Sequence, residues 1–176
     1  VQTDLELTID CLNRVATIDG LVLPCRIGRK GCIADAKGRE GDEKTPQGHY
    51  HLRWGFYRAD RLPKPPSHSL RPLTWRALDN NDAWCDAPQS AAYNRFIKLP
   101  NHESHEALWR EDGAYDIILV INHNDSPPVS GRGSAVFIHI AQPDDRQTLG
   151  CIAFAPEDMV QLLPYLQSGL PVKIHR

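Results

Sequence analysis

No stretch of this chain is both long enough and apolar enough to cross a bilayer. Its longest apolar runs, Ile117–Ile121 and Ala135–Ile138, fall far short of the roughly 20 residues a spanning helix needs, so no membrane span is expected. No block of like charge is present either. Twenty Lys and Arg stand against 22 Asp and Glu, a formal net charge of -2, which leaves no basic footprint for nucleic acid. Val1-Gln2-Thr3-Asp4 has neither the basic nor the apolar stretch of a secretory leader. Position 1 is not Met, so a leader already removed is compatible with this beginning without being visible in it. No CxxC occurs, and Cys25 and Cys32, the nearest pair, are too far apart in sequence for a zinc-ligand pair. The five cysteines are odd in number, so at least one thiol is free or shared between chains.

What is present is an ordinary globular composition. A chain of 176 residues, 41% hydrophobic with 12 Gly and 14 Pro, predicts one turn-rich domain spanning residues 1–176. Alternating patterns predict strands at Leu5–Ile9 and Arg14–Ile18, with Asp19-Gly20 as a hairpin turn before Leu21–Ile27. A Gly-rich polar stretch, 38–44, leads through Thr45-Pro46-Gln47-Gly48 into a short strand, His49–Trp54. Residues 58–88 carry Pro63, Pro65, Pro66, Pro72 and Pro88 with little apolar periodicity. They are expected to be an irregular insertion in a single domain. Strands resume at Phe96–Leu99, Tyr115–Ile121 and Ser134–Ile140. Pro156 at a first helical position, followed by Glu157 and Asp158, opens a helix with an apolar face of Met159, Leu162, Leu163 and Leu166 that Gly169 closes. Pro171–His175 is a final strand. The fold expected is mainly β, a sandwich or open barrel with one C-terminal helix.

His139 ends an apolar strand, and Cys151 follows twelve residues later behind Gly150. Two strands joined by a tight turn bring such residues side by side, within the reach of about 3 Å that a thiol and its base need. An adjacent imidazole favours a thiolate–imidazolium pair. Gly150 admits a substrate carbonyl, and the Cys151 N–H is a candidate oxyanion donor. Residue chemistry alone favours the plainer alternative, in which a strand histidine and a buried cysteine only pack.

The ordered motifs reverse that preference. Phe137-Ile138-His139-Ile140 followed by Thr148-Leu149-Gly150-Cys151-Ile152 resembles the active-site signature of the YkuD L,D-transpeptidases: a His, a spacer, then Ser/Thr-x-Gly-Cys and an aliphatic residue. Thr45-Pro46-Gln47-Gly48-His49-Tyr50 is similar to the family's Thr-Pro-x-Gly-x-Phe segment. Trp84-Cys85-Asp86, Tyr93-Asn94-Arg95, the stretch His105-Glu106 to Leu108-Trp109-Arg110, Tyr115-Asp116 and Gly131-Arg132-Gly133-Ser134 resemble a compact proteobacterial branch, so that the likeness covers roughly Gly28 to Leu166. Leu149 and Ala153 stand where the family commonly has His and Arg or Asn, which puts donor and acceptor preference in question.

The resemblance implies a YkuD-like fold and a Cys151 nucleophile with His139 as base, oriented by a neighbouring backbone carbonyl such as that of Ile140. It implies peptidoglycan stem peptides as donor and acceptor, no metal or organic cofactor, and a monomer in a Gram-negative periplasm. Cross-links from mDAP (meso-diaminopimelate) to mDAP, or from L-alanine to mDAP, are the expected products, with hydrolysis by water or a non-catalytic wall-binding module as alternatives. Tyr93, Asn94, Arg95, His123, Asn124, Arg132 and Thr148 are the candidate substrate-binding residues, Arg95 as a grip for a stem carboxylate. For Tyr93, Asn94, Arg95, His123 and Asn124 a turn or solvated surface role is about as good a reading, and for Arg132 a side chain that points to water is slightly the better one. Trp84 and Trp109 are expected to pack. The pairs His49/His51 and His102/His105 make a weak case for zinc, because no Cys or carboxylate completes a set. In an oxidising compartment a Cys25–Cys32 bridge is possible, and buried thiols are expected of the cysteines other than Cys151.

Overall fold

The structure, a computed structural model, describes residues 5–65 and 71–176. Val1–Asp4, read above for a leader, and residues 66–70 of the expected insertion lie outside the described residues.

Strands β1 (Leu7–Asp10), β2 (Val15–Ile18) and β3 (Leu21–Pro24) form an antiparallel run. Asp19 and Gly20, both at positive φ (46° and 79°), join the last two in the hairpin geometry their sequence predicts. β4 (Cys32–Ala34) pairs parallel to the start of β5 (Thr45–Tyr57). β5 runs well past the segment expected from the pattern, because its inward face changes midway. Tyr50 and Leu52 point into one core and Phe56 into a second, with a register shift opposite Val120/Ile121.

β6 (Trp75–Ala77) adds parallel to the end of β5. β7 (Asp82–Cys85), β8 (Phe96–Lys98) and β9 (His105–Ala107) form a separate three-stranded sheet. Two strands therefore lie inside 58–88, which is not irregular throughout. Asp82 hides the β7 signal, since it is fully buried among Lys98, Arg76 and the Asp79 N–H instead of facing water.

β10 (Ile117–Ile121), β11 (Phe137–Ile140), β12 (Ile152–Phe154) and β13 (Pro171–His175) complete a main sheet ordered β12-β11-β10-β5-β13-β1-β2-β3. Beyond β3 the chain turns back onto the far edge: Arg26 exchanges both backbone hydrogen bonds with Ala153 at 2.8 and 2.9 Å. The sheet is thus nearly closed. α1 (Pro156–Leu162) packs Met159 and Leu162 into the interior. It ends a turn sooner than the apolar spacing predicts, passing into a 3-10 turn at Leu163–Tyr165. Pro164 has no N–H to donate, and its ring crowds the carbonyl four residues back. The mainly β fold with one C-terminal helix is as expected.

Two apolar cores result. The larger fills the main sheet, between Leu7, Ile9, Ile18, Leu119, Ile152, Phe154 and the helix. The smaller lies on the opposite face of β5, β10 and β11, where Phe56, Ile118, Val120 and Phe137 meet Trp84, Leu108 and Tyr115 under the three-stranded sheet. β10 is buried on both faces, which accounts for its unbroken run of Ile, Leu and Val.

One disulfide joins Cys11 to Cys32, tying the end of β1 to β4. Cys32 does bridge, but to Cys11 and not to Cys25, which stays a buried thiol like Cys85. Sequence distance hides the pairing, because β1 and β4 meet only once β5 and β13 lie between their ends.

Candidate active site

β11 and β12 pair in parallel, Ile138 opposite Ile152 and His139 opposite Ala153. The segment between them is therefore a crossover and not the tight turn its length suggests. Extending the register sets Cys151 beside Phe137, and in a parallel pair such neighbours share a face. Ile138, Ile152 and Phe154 enter the larger core. Phe137, His139 and Cys151 turn the other way, with Cys151 and His139 on one diagonal whose Cα atoms are about 8 Å apart by strand geometry.

The Cys151 sulfur is turned inward although the residue is half-buried. It accepts from the Phe137 N–H at 3.4 Å and its thiol donates to the Ala135 carbonyl at 3.2 Å. His139 Nδ1 donates to the Ile140 carbonyl at 2.8 Å, which leaves the lone pair on Nε2, the form a proton acceptor needs. The Tyr115 ring stands edge-on to the imidazole at 5.2 Å. Burial, chiefly, drives the His139 pKa down to about 4. Burial, with the charge of Glu106, pushes the Cys151 thiol up to about 12. Both shifts favour the neutral thiol and the neutral imidazole over the ion pair expected from adjacency, because burial penalises either charge.

The backbone before the thiol is fixed by two hydroxyls. Thr148 Oγ1 donates to the Cys151 carbonyl at 2.6 Å and accepts from the Gly150 N–H at 3.1 Å. Fully buried Thr45 donates to the Gly150 carbonyl and accepts from the Gly28 N–H, both at 2.8 Å. Gly150 has a φ of 140°, and a Cβ there would lie 3.1 Å from the Lys44 carbonyl oxygen. Glycine is required by both backbone and space.

A cavity of about 710 Å³ opens over this face, and Cys151, His139, Gly150, Thr148, His123 and Arg132 all line it. His123, 4% exposed, places Nε2 3.3 Å from an Asp35 carboxylate oxygen. Arg132 reaches the Asp35 carbonyl at 2.9 Å and its carboxylate at 3.3 Å. Tyr93, Asn94, Arg95 and Asn124 do not line this cavity. Tyr93 is buried, its hydroxyl donating to Glu40 and accepting from the Gly133 N–H at 2.9 Å. Asn94, also buried, accepts from Trp84 and from the Ala135 N–H and donates to the His123 and Asn124 carbonyls. Asn124 clasps its own loop through Val129 and Gly133. Arg95 is exposed beside a second cavity of about 230 Å³, walled by Trp54, Trp84 and Phe96.

No motif or periodicity in the sequence marks Thr45, Glu106, Tyr115 or Ala135 as part of the site. The first three lay inside motifs already noticed but carried no chemistry of their own. Ala135 sits at φ 51°, a strained conformation for alanine that aims its carbonyl at the sulfur and that Asn94 holds.

A thiol and an imidazole on adjacent strands, facing one open cavity, are the parts that nucleophilic acyl transfer uses. The model of the YkuD family, the L,D-transpeptidase catalytic domain, matches residues 14–174, and the chain belongs to that family. Among solved structures it is similar to Bd1075 of Bdellovibrio bacteriovorus (14% identity, TM-score 0.48, 98% of this chain and 48% of that one). L,D-transpeptidase 1 of Mycobacterium tuberculosis is a further such structure (13%, 0.46, 98% and 60%), and so is an L,D-transpeptidase from Stackebrandtia nassauensis (10%, 0.45, 100% and 57%). The chain spans between 48% and 60% of the length of these proteins. No curated protein matches it.

Proposed function

We propose that this domain is a cysteine L,D-transpeptidase that joins peptidoglycan stem peptides through a thioester on Cys151. The observation that carries the reading is the shared diagonal of Cys151 and His139 on the cavity floor, with His139 Nδ1 committed to Ile140 and Nε2 left basic. Because both groups rest neutral, the thiol proton passes to Nε2 as sulfur attacks the carbonyl of an L-centre, and not before. The Cys151 N–H stabilises the oxyanion. The imidazolium then protonates the leaving amine, and an amine of a second stem resolves the thioester. The product is an mDAP–mDAP or an L-Ala–mDAP cross-link. Donor and acceptor stems are the partners, the periplasm of a Gram-negative cell is the compartment, and the domain works as a monomer.

The test is mass spectrometry of muropeptides after incubation with defined stem monomers and dimers. Wild-type protein is expected to yield cross-linked products and the mass of a stem acyl group on Cys151, both absent from Cys151→Ala. Cross-linking by Cys151→Ala would sink the proposal. Products of water attack alone would make the protein a carboxypeptidase or endopeptidase. Failure of wild type to form any adduct, even with a thiol-reactive β-lactam, would leave a wall-binding module.

A further inference from the structure

Glu106 stands on β9 at the wall of the catalytic cavity. Its Oε1 accepts the Tyr115 hydroxyl and lies 3.7 Å from an Arg110 nitrogen, whereas Oε2 takes part in no hydrogen bond among the described residues. The side chain is one-third exposed, at 33%, and its charge is close enough to act on the Cys151 sulfur. Asp86 and Glu40 share the same wall and act on Glu106, and one Asp86 carboxylate oxygen is buried without a partner.

Resting on the transpeptidase reading, proton counting gives this carboxylate a task. The acceptor amine is an ammonium ion at neutral pH. To become an amide N–H it must lose two protons, one before it can attack and one as the C–N bond forms. His139 returns to its neutral form on protonating the first leaving group, so it can take only one of them. We propose that the Glu106 carboxylate, through Oε2, binds the acceptor ammonium beside the thioester and removes the first proton.

The freed amine then attacks the thioester carbonyl. The C–N bond forms, the C–S bond breaks, and the second proton passes through His139 to the departing sulfur, regenerating the thiol. Glu106 returns its proton to water. The acidic wall thus takes the acceptor.

The experiment measures how one acyl-enzyme divides between amine and water, for a stem-peptide donor with mDAP or with hydroxylamine as acceptor. In Glu106→Gln the amine-to-water ratio for mDAP should fall about 100-fold, the lower range for a lost general base. Hydroxylamine, already unprotonated at neutral pH, should keep its wild-type ratio. An unchanged mDAP ratio overturns the inference, and so does an equal fall for both amines, which would make Glu106 a wall and not a base. If the variant forms no acyl-enzyme, wild type decides. A ratio for mDAP that is level across neutral pH and drops only in acid supports the carboxylate base, and one climbing about tenfold per pH unit refutes it. Wild type that never acylates defeats the transpeptidase reading instead, a separate result.

Discussion

Holding thiol and imidazole neutral side by side sets how Cys151 responds to pH. A preformed ion pair gives alkylation rates that level off across neutral pH. With the thiol near 12 and His139 near 4, iodoacetamide labelling of Cys151, followed by peptide mapping, should instead keep climbing from pH 7 to beyond pH 9. Glu106→Gln removes a charge that opposes the thiolate, so it should label faster than wild type at a given pH; slower labelling would count against the electrostatic account. The imidazole has its own linkage. Its folded pKa is depressed, so between about 4 and 6.5 the unfolded chain binds the extra proton, and stability must fall as pH drops through that window. Over the whole window His139 contributes a loss of about 3 kcal/mol. Urea midpoints at pH 7 and pH 4 should therefore differ less in His139→Gln than in wild type.

Between strands, the candidate site depends on groups that do not line its cavity. Thr45→Val keeps the shape but strands the Gly28 N–H and the Gly150 carbonyl. A loss of about 2 kcal/mol in urea unfolding is expected, with a drop in acylation that Thr45→Ser restores. Asn94→Ala breaks four hydrogen bonds at once, three of them buried, and frees Ala135 from its strained turn. Here about 3 kcal/mol is expected, and an unchanged midpoint would deny Asn94 its place as a hub. The same groups mark where sequence reading stops. Strands with water on one face, such as β2, or filled on both, as in β10, announce themselves by pattern. β7 does not, because its carboxylate is buried by ion pairs, and β5 is cut short because its bulge exchanges inside for outside. Cys151, His139 and Gly150 were visible through their motif. The parallel register that sets them on one face was not, since a short spacer reads as a hairpin. Tyr93 and Asn94 were noticed for polarity, and the structure spends that polarity on internal hydrogen bonds.

For the whole molecule, the Cys11–Cys32 bridge closes a loop of 21 residues in sequence, a length at which a disulfide contributes about 3 kcal/mol through the unfolded chain. Reduction, or Cys11→Ser with Cys32→Ser, should lower the urea midpoint accordingly while Cys151 still labels. Loss of labelling would mean that the bridge also shapes the cavity. The seam of the sheet has a different consequence. Arg26 meets Ala153 where the chain beyond the first hairpins returns to β12, and Thr45, itself held by Gly28, grips Gly150 beside Cys151 from that same early part of the chain. The thiol's surroundings are thus assembled from residues more than a hundred positions apart. Until these meet, Cys151 is an ordinary cysteine among four others, open to scrambling. Its raised pKa is a mark of finished folding, one that needs the early and the late segments of the chain together.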